Sequence, residues 1–242
     1  MSKIILKNSG DDLILERNGV EINVYETIME LGAAGHDYVE IGGLKWATKN
    51  VGATSVTDVG RYFAWGETEG YKYSEIPSKK YFDDDNYNPS TGRGYKFGKI
   101  SYGAGNLGMT KYNNYDHKTV LELEDDAARA NMGGLWRMPT DTEFQTLFSS
   151  TTTAWTNNYQ SSGVAGLIFT DKTDNSKTLF FPVDGYAADG SVNDQIDKGF
   201  YWSSSLDVSE WMHGMSFQFL SGGDIITEQF RYIGNAVRGV LD

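Results

Sequence analysis

The chain holds 242 residues, 39% of them hydrophobic and 22% charged, enough to bury the core of one large domain and outside the disordered class. Its formal net charge of −12 opposes binding to nucleic acid or to an anionic membrane surface. With no cysteine, it has no disulfides, thiolate nucleophiles, zinc–thiolate sites or iron–sulfur clusters.

Aromatic residues make up 14% of the chain, with 28 glycines and only four prolines, which points to many short strands and turns with few helices. The N-terminus carries three consecutive apolar residues, Ile4, Ile5 and Leu6. That is too short for a signal-peptide core, and no stretch approaches a membrane span, so the expected location is a cytoplasm or a particle assembled there. Residues 1–36 read as a small β unit. Leu13 to Arg17 and Val20 to Tyr25 flank Asn18-Gly19, and Asn-Gly between two apolar runs is a strong hairpin signal because both turn positions favour positive φ. Gly32-Ala33-Ala34-Gly35 reads as a joint to a second unit, residues 37–242.

That second unit opens with strands and turns, Tyr38 to Ile41 and Leu44 to Ala47 around Gly42-Gly43. Residues 73–118 are rich in Tyr, Asn, Asp and Gly without periodicity, as expected of a long loop region packed down by its own tyrosines. Two helices follow. One is expected over Glu124 to Met132, ending at Gly133-Gly134 as a left-handed cap. The second begins at Thr140, with Glu143 as its capping-box partner and Phe144, Leu147 and Phe148 as its buried stripe. From about residue 164 the pattern returns to strands at 164–169, 179–181, 200–203, 215–219 and 236–240.

The last 45 residues carry the most information. Met215, Phe217 and Phe219 alternate, so they share one face of a strand, and Ser216, Gln218 and Leu220 point the other way. Around this frame Asp207, Ser209, Glu210, Trp211, His213, Asp224, Ile226, Glu228, Phe230 and Tyr232 mix side-chain types without a scaffold logic. A fixed apolar face beside an arbitrary one suits a rigid frame whose surface is free to change, which is a binding surface and not a catalytic one.

Five motifs then match a known family in order: Tyr38 to Ala53, Tyr62 to Glu67, Gly134 to Thr140, Phe180 to Tyr186 and Tyr201 to Ser204. Over residues 38–242 the chain resembles a paralogous domain family of gut bacteria and their phages that shares the C-type lectin fold of formylglycine-generating enzymes. With its Trp202-Ser203-Ser204 start and Ala236-Val237-Arg238 end, the C-terminal segment resembles the variable proteins of diversity-generating retroelements. In these an error-prone reverse transcriptase rewrites adenine positions of the coding segment. The resemblance implies an α+β C-type lectin fold of short twisted antiparallel sheets, two helices and long ordered loops, with residues 1–36 as a β-rich appendage for attachment or homo-oligomerisation. It implies a variable segment at about 200–240 that binds a protein or glycan on a host or neighbouring cell surface. A phage virion with the segment surface-exposed fits the expected location. Trp202, Phe217, Phe219, Val237 and Arg238 are the expected anchors. Trp211, Phe230 and Tyr232 are the expected hot spots, since aromatic display loses little entropy on binding. Two rivals are a non-diversified bacterial adhesin of the same fold and an enzyme of the formylglycine-generating type. The second relies on cysteines that this chain lacks.

Other chemistry is weakly signalled. Gly103 to Gly108 fits Gly-x-Gly-x-x-Gly but runs into a poor helix former, so a glycine-rich loop is the better reading. Asp83-Asp84-Asp85 lacks the glycine and distal glutamate of a calcium loop and reads as a solvated acidic loop. No cofactor is expected. Structural calcium is the one ion the resemblance admits, because C-type lectin folds often bind it. His36, His117 and His213 have no ligand spacing. The chain has no Gly-x-Ser-x-Gly elbow or P-loop, and carboxylate pairs among 33 acidic residues signal no glycosidase. Trp46, Trp65, Trp136 and Trp155 are expected in the core, and Arg137 and Arg238 as buried charge-paired anchors.

Overall fold

A computed structural model describes residues 4–9, 12–17, 20–23, 33, 35–76, 95, 98–100 and 107–241. Asn18-Gly19, the acidic run 83–88 and residues 103–106 lie outside the described residues. Among the described residues the fold is α+β, with mostly antiparallel strands in small open sheets and two α-helices. The first sheet joins β1 (Ile4–Ser9), β2 (Asp12–Arg17) and β3 (Val20–Asn23). Arg17 pairs with Val20, so the register places the expected hairpin around Asn18-Gly19.

β4 (Tyr38–Ile41) and β5 (Leu44–Asn50) form a second hairpin. A short pair follows, β6 (Gly98–Ile100) and β7 (Leu107–Met109). Then come α1 (Ala127–Met132) and α2 (Asp141–Ser150). The three-stranded sheet of β8 (Thr151–Thr156), β9 (Gly166–Asp171) and β10 (Thr178–Pro182) is followed by the small pair β11 (Tyr186–Ala188) and β12 (Ser191–Asn193). The C-terminal sheet runs β13 (Lys198–Leu206), β14 (His213–Leu220), β15 (Gly223–Phe230), with β15 at its edge. Last, β16 (Arg238–Leu241) returns to pair with β5.

The helices follow their capping chemistry. Thr140 accepts the Glu143 N–H at 3.2 Å and Glu143 accepts the Thr140 N–H at 2.7 Å, closing the expected capping box. The helix expected over 124–132 is interrupted. Leu123–Asp125 makes one 3-10 turn, and Asp126 is extended. The cause is the Asp126 side chain, which accepts the N–H of Arg129 at 2.9 Å and of Met138 at 2.8 Å. An aspartate satisfying both donors serves better as N-cap than inside a helix. Gly133 and Gly134 both take positive φ, but Gly133, at φ 71° and ψ −160°, ends the helix outside the left-handed helical region expected.

β13 is the wall between two cores. Alternation sends Trp202 and Leu206 into one cluster with Trp65, Trp136, Tyr112 and Val237. Tyr201 goes into the other, with Trp46, Phe144, Phe181, Phe217, Phe219 and Val240. The expected anchors Trp202, Phe217, Phe219, Val237 and Arg238 are all buried. Close approach on both faces requires glycine. A Cβ at Gly199 would enter the Phe219 ring, and one at Gly214 would enter the Trp65 ring. Trp46, Trp65 and Trp136 lie in the cores as expected, whereas Trp155 is half-buried and donates its indole N–H to Asn157 at 2.7 Å. Ala33, within the expected joint, is buried in the first core and accepts the Trp136 indole N–H at 2.7 Å. In the loop region Tyr95 and Tyr112 are buried as expected, but Tyr73 and Tyr115 are exposed.

The two arginine anchors differ. Arg137 is charge-paired as expected but only half-buried, its two guanidinium nitrogens donating to Glu143 at 2.8 and 2.7 Å. Arg238 corrects the expectation. Its guanidinium donates to the backbone carbonyls of Ala47 at 2.9 Å and Phe180 at 3.0 Å and lies 4.4 Å over the Phe181 ring. Burial pushes its pKa down, and pushes the buried Asp184 carboxyl well above the usual carboxylate range.

Burial alone would raise Glu143, but the Arg137 pair and the Thr140 N–H outweigh it and hold Glu143 below its ordinary 4.5. A depressed carboxylate stabilises the fold above its unfolded pKa and loses that contribution as pH falls through the folded value. Urea unfolding of Glu143→Gln should therefore show a deficit at pH 7 that shrinks below pH 4.5 as wild type and variant converge. A deficit independent of pH would contradict the pairing.

Candidate ligand-binding site

β14 and β15 form a hairpin whose register decides which side chains act together. His213 pairs with Phe230, Met215 with Glu228, Phe217 with Ile226 and Phe219 with Asp224, so these share one face. Ser216 pairs with Thr227, Gln218 with Ile225 and Leu220 with Gly223, and these form the opposite face. The thirteen expected contact residues thus do not form one surface. Asp224, Ile226, Glu228 and Phe230 lie on the Phe217–Phe219 face, where the sheet runs past the edge of the second core, and Ile226 packs against that core. The sequence pattern marked no strand over 221–230, although Ser221-Gly222 between Leu220 and Gly223 is a two-residue hairpin connection.

Ser216 is a further correction. It is fully buried, donates to the Thr227 carbonyl at 3.2 Å and accepts from Gln218 Nε2 at 3.0 Å. Trp202 lies opposite it across β13, so on this face the sheet is covered by the first core. Gln218 is half-buried beside it, and Leu220 is exposed.

Two concavities flank the hairpin. On the Gln218–Leu220 face a cleft of about 270 Å3 is lined by Lys198, Phe200, Gln218, Leu220, Asp224 and Ile225 among others. Lys198, Phe200 and Ile225 were not singled out in the sequence. Only the β13–β14–β15 register brings them together. The second, of about 240 Å3, lies between Asn113, Asn114, His117 and Lys118 on one side and Leu206, Asp207, Val208 and Trp211 on the other. It joins the connection between β13 and β14 to a segment about ninety positions earlier, a neighbourhood with no local signal.

At the rim, Phe230 stacks on Tyr232 with ring centroids 5.3 Å apart, and His213 lies tilted against Phe230 at 4.4 Å. The His213 Nδ1 lies 3.6 Å from Glu210 and 4.0 Å from Asp207. Asp207 also accepts the N–H and hydroxyl of Ser209 at 2.8 and 2.7 Å, which shapes the turn. Ser209 and Glu210 are exposed, and Asp207, His213 and Tyr232 are half-buried. On the hairpin and the connection before it, the exposed apolar side chains are Val208 (76% exposed), Ile225 (57%), Leu220 (47%), Phe230 (40%) and Trp211 (37%).

Arg231 is the residue that the sequence reading missed. It sits between two expected contact residues, yet it is fully buried. Its guanidinium donates to Tyr95 Oη at 2.9 Å and to the carbonyls of Trp211 at 2.9 Å, Lys111 at 3.1 Å and Tyr112 at 3.2 Å. It also lies 4.7 Å over the Trp65 ring. No local pattern distinguishes a buried arginine from an exposed one, so only the packed structure identifies it.

The described residues contain one acidic cluster able to hold a metal ion, Glu122, Glu124 and Asp125. The Lys111 ammonium lies within it, 2.7 Å from each glutamate and 2.5 Å from Asp125. The acidic run 83–88, the other oxygen-rich segment considered for calcium, is outside the described residues. No helix among the described residues is long and apolar enough to cross a membrane.

Comparison with protein-family models, curated proteins and solved structures finds no match to this chain. The case for function therefore rests on the residues and their arrangement.

Arg231→Met keeps the length and removes the donors, leaving buried carbonyls of Lys111 and Tyr112 without them. Loss of such a network destabilises by about 3 kcal/mol. Urea unfolding should show that loss, and a change of under about 1 kcal/mol would show that Arg231 does not anchor the site.

Proposed function

We propose that this protein is a ligand-binding variable protein that displays a diversified surface on a C-type lectin scaffold. It would belong to the diversity-generating retroelement class, encoded by a phage or mobile element and not an enzyme. The observation that supports this best is the contrast within the C-terminal sheet. Phe217, Phe219, Arg231, Val237 and Arg238 are buried, whereas Glu210, Trp211, Leu220, Asp224, Glu228 and Phe230 are exposed. A backbone held from beneath leaves outward side chains free to be exchanged, which a selectable binding surface needs. The lack of cysteine argues against the formylglycine-generating chemistry of the related fold.

The partner in this reading is a protein or glycan on a host or neighbouring cell surface, and the protein is carried on a virion with the hairpin facing outward. The corrected geometry gives two contact areas. One is the rim of Trp211, His213, Phe230 and Tyr232. The other is the cleft of Phe200, Gln218, Leu220 and Ile225.

The reading is tested by binding to arrays of glycans and surface proteins from candidate host cells. Trp211→Ala and Phe230→Ala should each weaken a captured ligand by about tenfold or more, with melting temperature held within a few degrees. A ligand that binds these variants as tightly as wild type would contradict it. At the DNA level a near-copy of the codons for residues 200–240, differing at adenines and next to a reverse-transcriptase gene, is the expected accompaniment.

A further inference from the structure

The β15 edge supports an inference that rests on the binding role proposed above and goes beyond it. The Arg231 N–H donates to the Met212 carbonyl at 3.0 Å. In an antiparallel ladder hydrogen-bonded and non-bonded positions alternate. With the register of His213 against Phe230, Gln229, Thr227 and Ile225 therefore bond inward to β14. Asp224, Ile226 and Glu228 turn their N–H and C=O groups outward, and Phe230 its N–H, while the Phe230 carbonyl already accepts the Ile233 N–H at 3.0 Å. Among the described residues no strand pairs with that outer edge.

Long open edges are normally covered or blunted, because they template strand pairing. This edge is eight residues long and has exposed apolar side chains on both faces, Ile225 on one and Phe230 on the other. Its one visible guard is Glu228, whose carboxylate accepts its own backbone N–H and the Thr227 hydroxyl, contacts that hold its pKa below the usual glutamate value. A carboxylate guard is reversible, unlike a proline or a bulge.

We propose that β15 binds its partner by strand addition, taking an extended peptide segment with alternating apolar and basic side chains. Main-chain hydrogen bonds to Asp224, Ile226, Glu228 and Phe230 would supply affinity, and the cleft beside Ile225 and Leu220 would accept alternate side chains of the guest. The guest is basic because Asp224 and Glu228 line the edge and the chain carries a net charge of −12. A second copy of the chain fits poorly in the register centred on Ile226. Antiparallel pairing of two β15 edges about Ile226 would set Asp224 of each copy against Glu228 of the other, and like charges directly opposite oppose pairing. The arrangement suits a changeable surface, since a ladder keeps its affinity when the side chains around it are exchanged.

The test uses the whole chain and a synthetic library of ten-residue peptides alternating valine, isoleucine or threonine with lysine. Amide hydrogen exchange should slow at residues 224, 226, 228 and 230 when a binding peptide is added. The same peptide N-methylated at alternate residues should give no slowing. Glu228→Ala loses one of the two edge charges but no main-chain donor and should still protect the edge amides, whereas Glu228→Pro should bind about tenfold more weakly than Glu228→Ala. Because the lost N–H faces outward, the proline should shift melting by no more than a few degrees. Asp224→Pro should repeat the result at the other end of the strand.

If no library member slows exchange at these four amides, or if Glu228→Pro binds as Glu228→Ala does, strand addition is overturned. A glycan captured through Trp211 or Leu220 without amide protection would leave the binding role standing and remove this mode. Concentration-dependent dimerisation that alone protects the four amides would replace the peptide with a second copy and equally overturn it.

Discussion

The guanidinium of Arg231 ties the C-terminal hairpin to the rest of the molecule. It takes carbonyls from Trp211, in the connection between β13 and β14, and from Lys111 and Tyr112, which lie far away in sequence. It also bonds Tyr95 and rests on Trp65. One planar fork therefore fixes four separate stretches at once, which a lysine could not do. The neighbouring Asn235 continues the join, exchanging backbone hydrogen bonds with Phe63 at 2.9 and 3.0 Å and donating to Gln229 at 2.6 Å.

This anchoring divides the sheet energetically. At β13 both faces are covered, by Trp202 on one side and Tyr201 on the other. Moving out through β14 the cover thins, with Phe217 and Phe219 still buried but Leu220 open. At β15 most side chains meet solvent. Burial contributes about 25 cal/mol per Å2 of apolar surface, so the inner strand carries the stability and the edge strand contributes little through its side chains. In the proposed function that gradient is the useful property. Chemistry can change at the edge without consequence for the fold.

Much of this gradient was legible in the chain. The alternation of Met215, Phe217 and Phe219 marked β14, and the capping box at Thr140 and Glu143 marked α2, because both are local patterns with local causes. The hairpin of β2 and β3 was legible from Asn18-Gly19 for the same reason. What depended on register was not. The split of the thirteen candidate residues over two faces follows from Phe217 pairing with Ile226, a relation between strands that no single window contains. Ser216 was read as outward because it alternates with Phe217, but Trp202 across the ladder covers it. Asp126 broke the expected first helix because Met138, twelve residues on, offered its N–H. Arg231 was invisible between Phe230 and Tyr232 since its acceptors come from elsewhere in the chain.

The central claim is that the backbone of the hairpin is held by its buried half alone. The most direct measurement is amide hydrogen exchange at Phe217 and Phe219 in a chain with Glu210, Trp211, Leu220, Asp224, Glu228 and Phe230 all replaced by serine. Exchange at these two amides as slow as in the wild-type chain is the result this account predicts. Fast exchange at both, with the second core otherwise intact, would show that the outer side chains hold the strand in place and would contradict it.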